Sequence, residues 1–188
     1  MLRTTFAVSV LAGVFVLSGC AADHDLPPEQ PAFYLSMAHG GAKLDAVVAA
    51  SMISGYRQNN GLGAVEVDPV LMQVAEAQSQ AMASRNKLDH NVNGSLAQRL
   101  KVGGYDARIA VENVSAGYHT LAEAFSGWRD SPPHRANMLN SSVTKLGIAA
   151  SYAPNTKYKV FWALVLAAPD TKATVPKTAA DDGELRIR

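Results

Sequence analysis

The feature that most constrains the fold of this chain is a pair of prolines at positions 132 and 133, which directly follows an amphipathic segment. Residues 120–123 have the form of a capping box, and apolar side chains follow at helical spacing. Because the residue before a proline is disfavoured in the helical conformation, this helix should end ahead of the prolines. Ser131 is then placed to cap a second short helix that begins in the prolines. The stiff backbone should fix the direction of His134, which is either a site residue or an ordinary packing residue.

The first twenty residues are typical of an export signal. Arg3 precedes an uncharged apolar run at residues 6–17, which is too short to span a bilayer comfortably. The run ends in the letters LSGC, which resemble a bacterial lipobox and imply that cleavage leaves Cys20 as a lipid-modified N-terminus. We therefore expect residues 1–19 to be a lipoprotein signal peptide and Cys20 to anchor the protein in a membrane, facing the extracytoplasmic side of a bacterial cell envelope. The alternative is an ordinary signal peptide with an incidental cysteine.

Composition excludes several classes of function. Cys20 is the only cysteine, so disulfides, thiolate metal sites and a cysteine nucleophile are excluded within the domain. The formal net charge of +1 gives no electrostatic case for binding nucleic acid. The length of 188 residues indicates one domain with tails. We expect a tether at residues 20–41, the domain at 42–168, and a disordered tail at 169–188.

The order of the predicted elements indicates an α+β fold. Helices come first and most of the strands come late, which favours helices packed on a small antiparallel sheet. Hydrophobic spacing, caps and turns predict helices at 42–60, at 69–87 and after Ser95, a strand at 109–117, the helix pair described above, and a hairpin of 145–152 and 158–167.

Hydrophobic periodicity also predicts which side chains are buried. Trp128 lies on the apolar face of its helix and should belong to the core. The first helix should be amphipathic, with a buried face made of Leu44, Val47, Val48, Ser51, Met52 and Tyr56.

Several motifs occur together in a recognisable order. His90 is followed by the letters NGSLAQRLKVGGY a few residues on, then by VEN, by WRDSPPHRANML, and by a hairpin that contains KLGIAASY and KVFWALVLA. This arrangement resembles a bacterial member of the CAP superfamily, which groups cysteine-rich secretory proteins, antigen 5 and pathogenesis-related proteins. The resemblance covers about residues 43–168. It implies an α–β–α sandwich with a small three-stranded antiparallel sheet between helical layers, and an open cleft on one side.

The resemblance also implies a set of cleft residues. Many CAP members carry two histidines and two acidic residues in the cleft, and some of them bind a divalent metal there. His90, Glu112 and His134 match three of these four positions, while Ser131 stands where the family has its second acid. With Asn113, which follows Glu112 in the VEN motif, these are the five candidate ligand-binding residues. None of them is assigned a catalytic role.

Two kinds of chemistry are open to His90, Glu112 and His134. Two neutral imidazoles and one carboxylate can hold zinc with one coordination position free, and that position could polarise a bound water. Alternatively, the residues form a polar network in which Glu112 orients one histidine and Asn113 satisfies backbone groups.

The family resemblance therefore implies two main functions. The first is a lipid-anchored, extracytoplasmic binding module for a small molecule, a lipid or a protein partner, with or without a divalent metal. The second is a metal-assisted hydrolase acting on an envelope substrate. A purely structural role in the envelope is a third, and the fold alone cannot choose among them.

Overall fold

The computed structural model describes residues 30–170. The predicted signal peptide, the lipid site at Cys20 and nearly all of the predicted tail lie outside the described residues. The described elements, in chain order, are a 3-10 turn at Ala32–Tyr34, α1 (Ala46–Gln58), β1 (Glu66–Val67), α2 (Pro69–Arg85), α3 (Leu96–Val102), β2 (Ala107–Ala116), α4 (Leu121–Asp130), α5 (Pro132–Met138), β3 (Lys145–Ala153) and β4 (Lys159–Pro169).

The sheet has the strand order β1-β3-β4-β2. The central strand β4 pairs antiparallel with β2 on one side and with β3 on the other, as the predicted hairpin requires. The predicted three-stranded sheet is extended by β1, whose two residues pair parallel to the start of β3. This short strand forms because the chain passes the edge of β3 before it enters α2, and Glu66 N–H donates to the carbonyl of Thr144 (3.0 Å).

The sheet separates two hydrophobic cores, which confirms the predicted α–β–α sandwich. Alternate side chains of β4 point to opposite faces, as they must in a strand. Trp162 and Leu164 contribute to the core beneath α1, α4 and α5, whereas Phe161 and Ala163 contribute to the core beneath α2 and α3. Trp128 is 1% exposed in the first core, which confirms its prediction as a core residue.

The helix α2 lies directly on the sheet at Gly147. A Cβ atom at this position would lie 2.0 Å from the carbonyl carbon of Leu71 and 2.4 Å from the amide nitrogen of Met72. The helix begins where the sequence predicts, because the side chain of Asp68 accepts hydrogen bonds from the amides of Val70 and Leu71. Gly147 therefore sets the close approach of α2 to β3.

The buried face of α1 agrees in part with the predicted one, because Leu44, Val48, Met52 and Tyr56 are partly buried against the first core. Val47 is 71% exposed, and Ser51 is also exposed. The prediction was wrong at these two positions because the most deeply buried stripe consists mainly of small residues and one arginine, to which hydrophobic periodicity gives little weight. The residues that α1 buries are Ala49, Ala50, Ile53, Ser54 and Arg57.

Arg57 is buried because backbone carbonyls replace the water around its guanidinium. Its Nε donates to Gly63 O (2.8 Å), its Nη1 donates to Met138 O and Asn140 O (both 2.8 Å), and its Nη2 donates to Val143 O (3.1 Å). These bonds tie the turn after α1 to the end of α5 and to the approach to β3.

Part of the predicted tether lies against the domain. Met37 is 5% exposed within the first core, and Phe33 packs against the same cluster. The amide of Met37 donates to the carbonyl of His119 (2.6 Å). The described chain therefore begins to pack before residue 42. None of the helices between residues 30 and 170 is both long and apolar enough to cross a membrane.

Candidate functional site

The candidate site is centred on a buried carboxylate that holds an exposed imidazole. Glu112 lies in the middle of β2 and His90 in the turn between α2 and α3. His90 Nδ1 is 2.8 Å from Glu112 Oε1, and the two side chains are 53% and 3% exposed. A carboxylate at this distance fixes both the position and the tautomer of an imidazole. Glu112 therefore orients His90, as the polar-network alternative predicted.

Arg99, which sequence reasoning missed, completes this pair from the other side. Its Nη2 lies 2.7 Å from Glu112 Oε2, and both side chains are buried. The contact is an ion pair whose angle is not that of a hydrogen bond, since Oε2 has no hydrogen-bond partner among the described residues. Arg99 also donates to His90 O and to Gly94 O (both 3.2 Å). The one sequence feature that could have indicated its burial is the position of Arg99 next to Leu100, on the inward face of a capped helix.

Gln78 was also missed, and it holds the same turn from α2. Its Nε2 donates to Asp89 O (2.9 Å) and to His90 O (3.1 Å). The backbone of His90 is therefore held by two buried side chains, Gln78 and Arg99, while its ring stays largely exposed. Gln78 is fully buried, and its partners lie 11 and 12 residues away, beyond the reach of a helical pattern.

An asparagine pair joins β2 to α5. Asn113 Nδ2 donates to His134 O (3.0 Å), so Asn113 satisfies a backbone group as predicted. Asn137 Nδ2 is shared between Asn113 Oδ1 (2.9 Å) and Glu112 O (3.1 Å). Asn137 was missed, although its place three residues after His134 puts it on the same face of α5. These bonds fix the first turn of α5 against the strand that carries Glu112.

His134 belongs to the same region as His90. It is half-buried in the first turn of α5. Burial lowers the pKa of His134, and the charge of nearby His90 lowers that pKa further, because two protonated imidazoles repel each other. His134 therefore favours the neutral form, which has one nitrogen free to accept a hydrogen bond.

Ser131 occupies the predicted N-cap position of α5, but its side chain makes no capping hydrogen bond. The predicted side-chain cap was wrong because a cap bonds the second or third amide of a helix, and Pro133 removes the second. No hydrogen bond joins the Ser131 hydroxyl to Glu112 or to either histidine within the described chain. Of the five predicted residues, the structure brings together His90, Glu112, Asn113 and His134.

The arrangement does not fit the predicted zinc ligands. Between residues 30 and 170, no three His, Cys, Asp or Glu side chains are placed to hold a metal ion. His90 turns Nδ1 to Glu112, and the other oxygen of that carboxylate faces Arg99. Since Arg99 already balances the charge of Glu112, a metal there would meet a buried cation rather than a free carboxylate.

Sequence comparison places this fold in a family. The profile of the Cysteine-rich secretory protein family (CAP) matches residues 50–166. The chain belongs to the CAP family. The uncharacterized protein YkwD of Bacillus subtilis is 35% identical to the CAP chain over 99 residues, and the uncharacterized membrane protein YlbC of the same organism is 36% identical over 94 residues. The matched regions are 52% and 49% of this chain but 38% and 27% of those proteins, so the chain spans well under half their length.

Solved structures support the same assignment. An extracellular protein with an SCP domain from Bacillus anthracis superposes with a TM-score of 0.57 at 26% identity, over 64% of this chain and 39% of that chain. An outer surface protein from Borrelia burgdorferi superposes with a TM-score of 0.60 at 21% identity, over 68% of this chain and 95% of that chain. The second similarity, at this low identity, concerns the fold of the CAP domain alone.

Proposed function

We propose that the protein is an extracytoplasmic, lipid-anchored CAP-domain binding module, and that the exposed ring of His90 and the half-buried His134 form its polar contact face. The observation that carries this proposal is the fixed imidazole of His90, held at 2.8 Å by a carboxylate that is 3% exposed. A pre-oriented polar group on a rigid support loses little entropy when it contacts a ligand.

The charges around His90 favour binding over catalysis. Arg99 balances the charge of Glu112, so the carboxylate is held between Arg99 and His90 and is not free to attack a substrate. The described residues also show no hydroxyl hydrogen-bonded to His90 or His134, which a serine nucleophile with a histidine base would need. Because Nδ1–H of His90 is turned to Glu112, the outward Nε2 of the neutral ring accepts a hydrogen bond, as one nitrogen of neutral His134 does. The ligand class that fits two such imidazoles carries an O–H or N–H donor, such as the protonated carboxyl group of a fatty acid or the amide groups of a peptide.

Binding is tested by nuclear magnetic resonance of the histidine ring protons in the purified protein. Palmitate and tri-alanine are the probes for a lipid and for a peptide. We expect one of them to shift the ring signals of His90 and His134 saturably, with no change when EDTA is present. If neither probe moves these signals, the proposed contact face is wrong.

The extracytoplasmic location is supported by the names of two similar structures, one an extracellular protein and the other an outer surface protein. The membrane anchor rests on the lipobox-like letters before Cys20. We expect the protein to incorporate labelled palmitate and to partition with membranes, and the Cys20→Ala variant to lose both. Normal labelling of the variant would contradict the anchor.

The His90–Glu112 pair also favours a second function, hydrolysis of an envelope ester, because a carboxylate-oriented histidine is a common general base. The measurement is turnover of p-nitrophenyl palmitate with and without EDTA. Turnover that is lost in His90→Ala would establish the hydrolase. Loss of that turnover in EDTA would show that it depends on a divalent metal. Saturable palmitate binding without turnover would support the binding module.

A further inference from the structure

An apolar surface lies on the α1 side of the sheet, close to where the described chain begins. Its most exposed side chains are Tyr34, Leu35 and Val47, which are 50%, 43% and 71% exposed. Beside them runs a groove between the 3-10 turn and α1, and its lining residues are Ala32, Phe33, Val48, Ser51 and Met52. We call these eight residues the α1 patch. All of them except Ser51 are apolar or aromatic.

The exposed side chains and the groove adjoin. Val47 and Ser51 are four residues apart in α1, so their side chains are neighbours on one face of the helix. The ring of Tyr34 lies 4.7 Å, centroid to centroid, from the ring of Phe33, which lines the groove. The α1 patch is therefore one continuous surface. Exposed apolar patches of this kind mark contact with another molecule or with a membrane.

The charges near the α1 patch favour an apolar occupant. Residues 30–42 contain no Asp, Glu, Lys or Arg, and the one charged residue of α1 is the buried Arg57. Lys43 and Asp45, which precede the helix, have opposite signs. A strongly acidic or basic partner would find no counter-charge here. A tyrosine among apolar side chains is typical of residues that lie at the boundary between a membrane and water.

The proposed lipid anchor would bring a membrane to this surface. Residues 21–29 separate Cys20 from Gln30, where the described chain begins. Because an extended chain spans at most about 3.5 Å per residue, Gln30 would lie within roughly 35 Å of the lipid-modified cysteine. The 3-10 turn of the α1 patch begins at Ala32. A tethered membrane acts at a high effective concentration, so a contact too weak to recruit the free protein can still form.

We propose that the α1 patch rests on the surface of the membrane that carries the lipid of Cys20. Tyr34, Leu35 and Val47 lie at the level of the lipid head groups, and their apolar surface leaves water. This inference rests on the proposed lipid anchor and adds to it a fixed orientation of the domain. Because α2 and α3 cover the other face of the sheet, they are turned away from the membrane.

The test places a fluorescent reporter on each face of the sheet. Ser51→Cys and Ser84→Cys each introduce one thiol at an exposed serine, the first in the α1 patch and the second on α2. A nitrobenzoxadiazole dye is attached to that thiol, since a lipid-modified Cys20 has no free thiol. The full chain is then reconstituted into phosphatidylcholine vesicles that contain doxyl-labelled lipid. We expect the lipid to quench the dye at position 51 at least about twice as strongly as the dye at position 84.

A charged substitution should break the contact. Val47→Glu puts a carboxylate in the α1 patch, and a carboxylate loses favourable hydration when it enters an apolar phase. In the Ser51→Cys protein it should lower quenching to the level measured at position 84. The matched control is Val102→Glu, at a valine of α3 that is 89% exposed on the other face of the sheet. It should leave quenching at position 51 unchanged. Both valines are exposed, so both variants should keep the fold, which circular dichroism checks.

Flotation of the vesicles separates this inference from the anchor on which it rests. If the lipid-modified chain does not float with the vesicles, the anchor and the inference both fail. If it floats but the lipid quenches positions 51 and 84 equally, or if Val102→Glu removes the quenching as Val47→Glu does, the anchor stands and the proposed contact is wrong. A dye at position 51 whose emission shifts to the blue without quenching would show that protein covers the α1 patch, which also overturns the proposal.

Discussion

Two arginines are buried in this domain, and their surroundings differ. Arg57 is 1% exposed and donates to four backbone carbonyls, with no carboxylate beside it in the described structure. Arg99 is 6% exposed and is paired with Glu112, while its Nη1 has no hydrogen-bond partner there. The donors of Arg57 join the turn after α1 to the end of α5 and to the approach to β3. Arg99 instead keeps one donor without a partner, in a region that carries an exposed histidine. The difference separates a structural junction from a candidate binding region.

The electrostatics of the two arginines follow from these partners. Burial lowers the pKa of Arg57, because only neutral carbonyl dipoles stabilise its charge. The charge of Arg99 is instead stabilised by a carboxylate at 2.7 Å. Substitutions should therefore act differently at the two places. The stability lost by replacing Arg57 should not be recovered by a second substitution, because its partners are backbone carbonyls. The stability lost by replacing one member of the Arg99–Glu112 pair should be partly recovered by replacing the other member as well.

The largest effect is expected for Arg57→Ala. The substitution leaves four carbonyls with lost partners, and buried unsatisfied groups cost about 1–3 kcal/mol each before water relieves some of them. We expect the free energy of unfolding in urea to fall by about 4 kcal/mol. The control is Val47→Ala on the same helix, at a position that is 71% exposed. A loss at Arg57 no larger than at Val47 would show that Arg57 is not a structural junction.

The next largest effect is expected for Glu112→Gln, which leaves the buried charge of Arg99 without its partner. Removing one member of a buried pair costs about 3 kcal/mol or more. The double variant Arg99→Met with Glu112→Gln should be more stable than Glu112→Gln alone, because no buried charge remains. Urea unfolding of the two single variants and the double variant gives the coupling energy. Additive losses would mean that the pair is not coupled.

The sequence predicted the region around His90 and Glu112 better than the region around Arg57. Local signals placed the caps of α2 and α4, the break at the prolines, and the hairpin, since each depends on neighbours in the chain. The family motifs brought His90, Glu112, Asn113 and His134 to one region. Arg57 could not be foreseen in the same way, because its carbonyl partners Met138 and Val143 lie 81 and 86 residues away.

Arg99 was missed for the same physical reason as Arg57. A charged residue is expected at the surface unless it is paired, and pairing across a fold leaves no periodic pattern in the sequence. Of the two alternatives that the sequence left open, the structure favours the polar network over zinc, because Glu112 already faces Arg99, a contact that residue types alone do not reveal. The predicted face of α1 was wrong only at Val47 and Ser51, since most of the residues that this helix buries fully are small or polar and add little to a hydrophobic pattern.

A smaller effect on the free energy of unfolding should come from the protonation of His134 as the pH falls. Burial and the charge of His90 lower the pKa of His134 in the folded protein, so the unfolded chain binds this proton more readily. The stability that neutral His134 contributes is therefore full above the unfolded value of about 6.5 and is lost as the pH falls below it. We expect the free energy of unfolding to decrease less between about pH 7.5 and pH 5 in His134→Gln than in the unaltered protein.

The control for this pH dependence is His39→Gln, since His39 is an exposed histidine outside the site. Its unfolding should follow the unaltered protein across the same pH range. An identical slope in His134→Gln would mean that His134 is not held in the neutral form, and that the two histidines do not influence each other.

The smallest effect is expected for Tyr105→Phe, which removes another buried donor without a partner, the Tyr105 hydroxyl in the core beneath α2 and α3. Tyr105 is 8% exposed, and its hydroxyl has no partner among residues 30–170. Removing an unsatisfied buried hydroxyl loses no hydrogen bond, so the free energy of unfolding at neutral pH should change by less than about 0.5 kcal/mol.

Alkaline pH should reveal the difference that neutral pH conceals. Burial, and to a smaller extent the charge of Asp68, raises the pKa of Tyr105 to about 12. The folded protein thus resists an ionisation that the unfolded chain undergoes near pH 10, and the unaltered protein loses stability as the pH rises between these values. Tyr105→Phe should lack that share of the loss in urea unfolding. If Tyr105→Phe instead lowers the free energy of unfolding at neutral pH by more than about 1 kcal/mol, the hydroxyl has a hydrogen-bond partner. Tyr105 would then resemble Arg57, whose donors all have partners, and not Arg99, which has a donor without one.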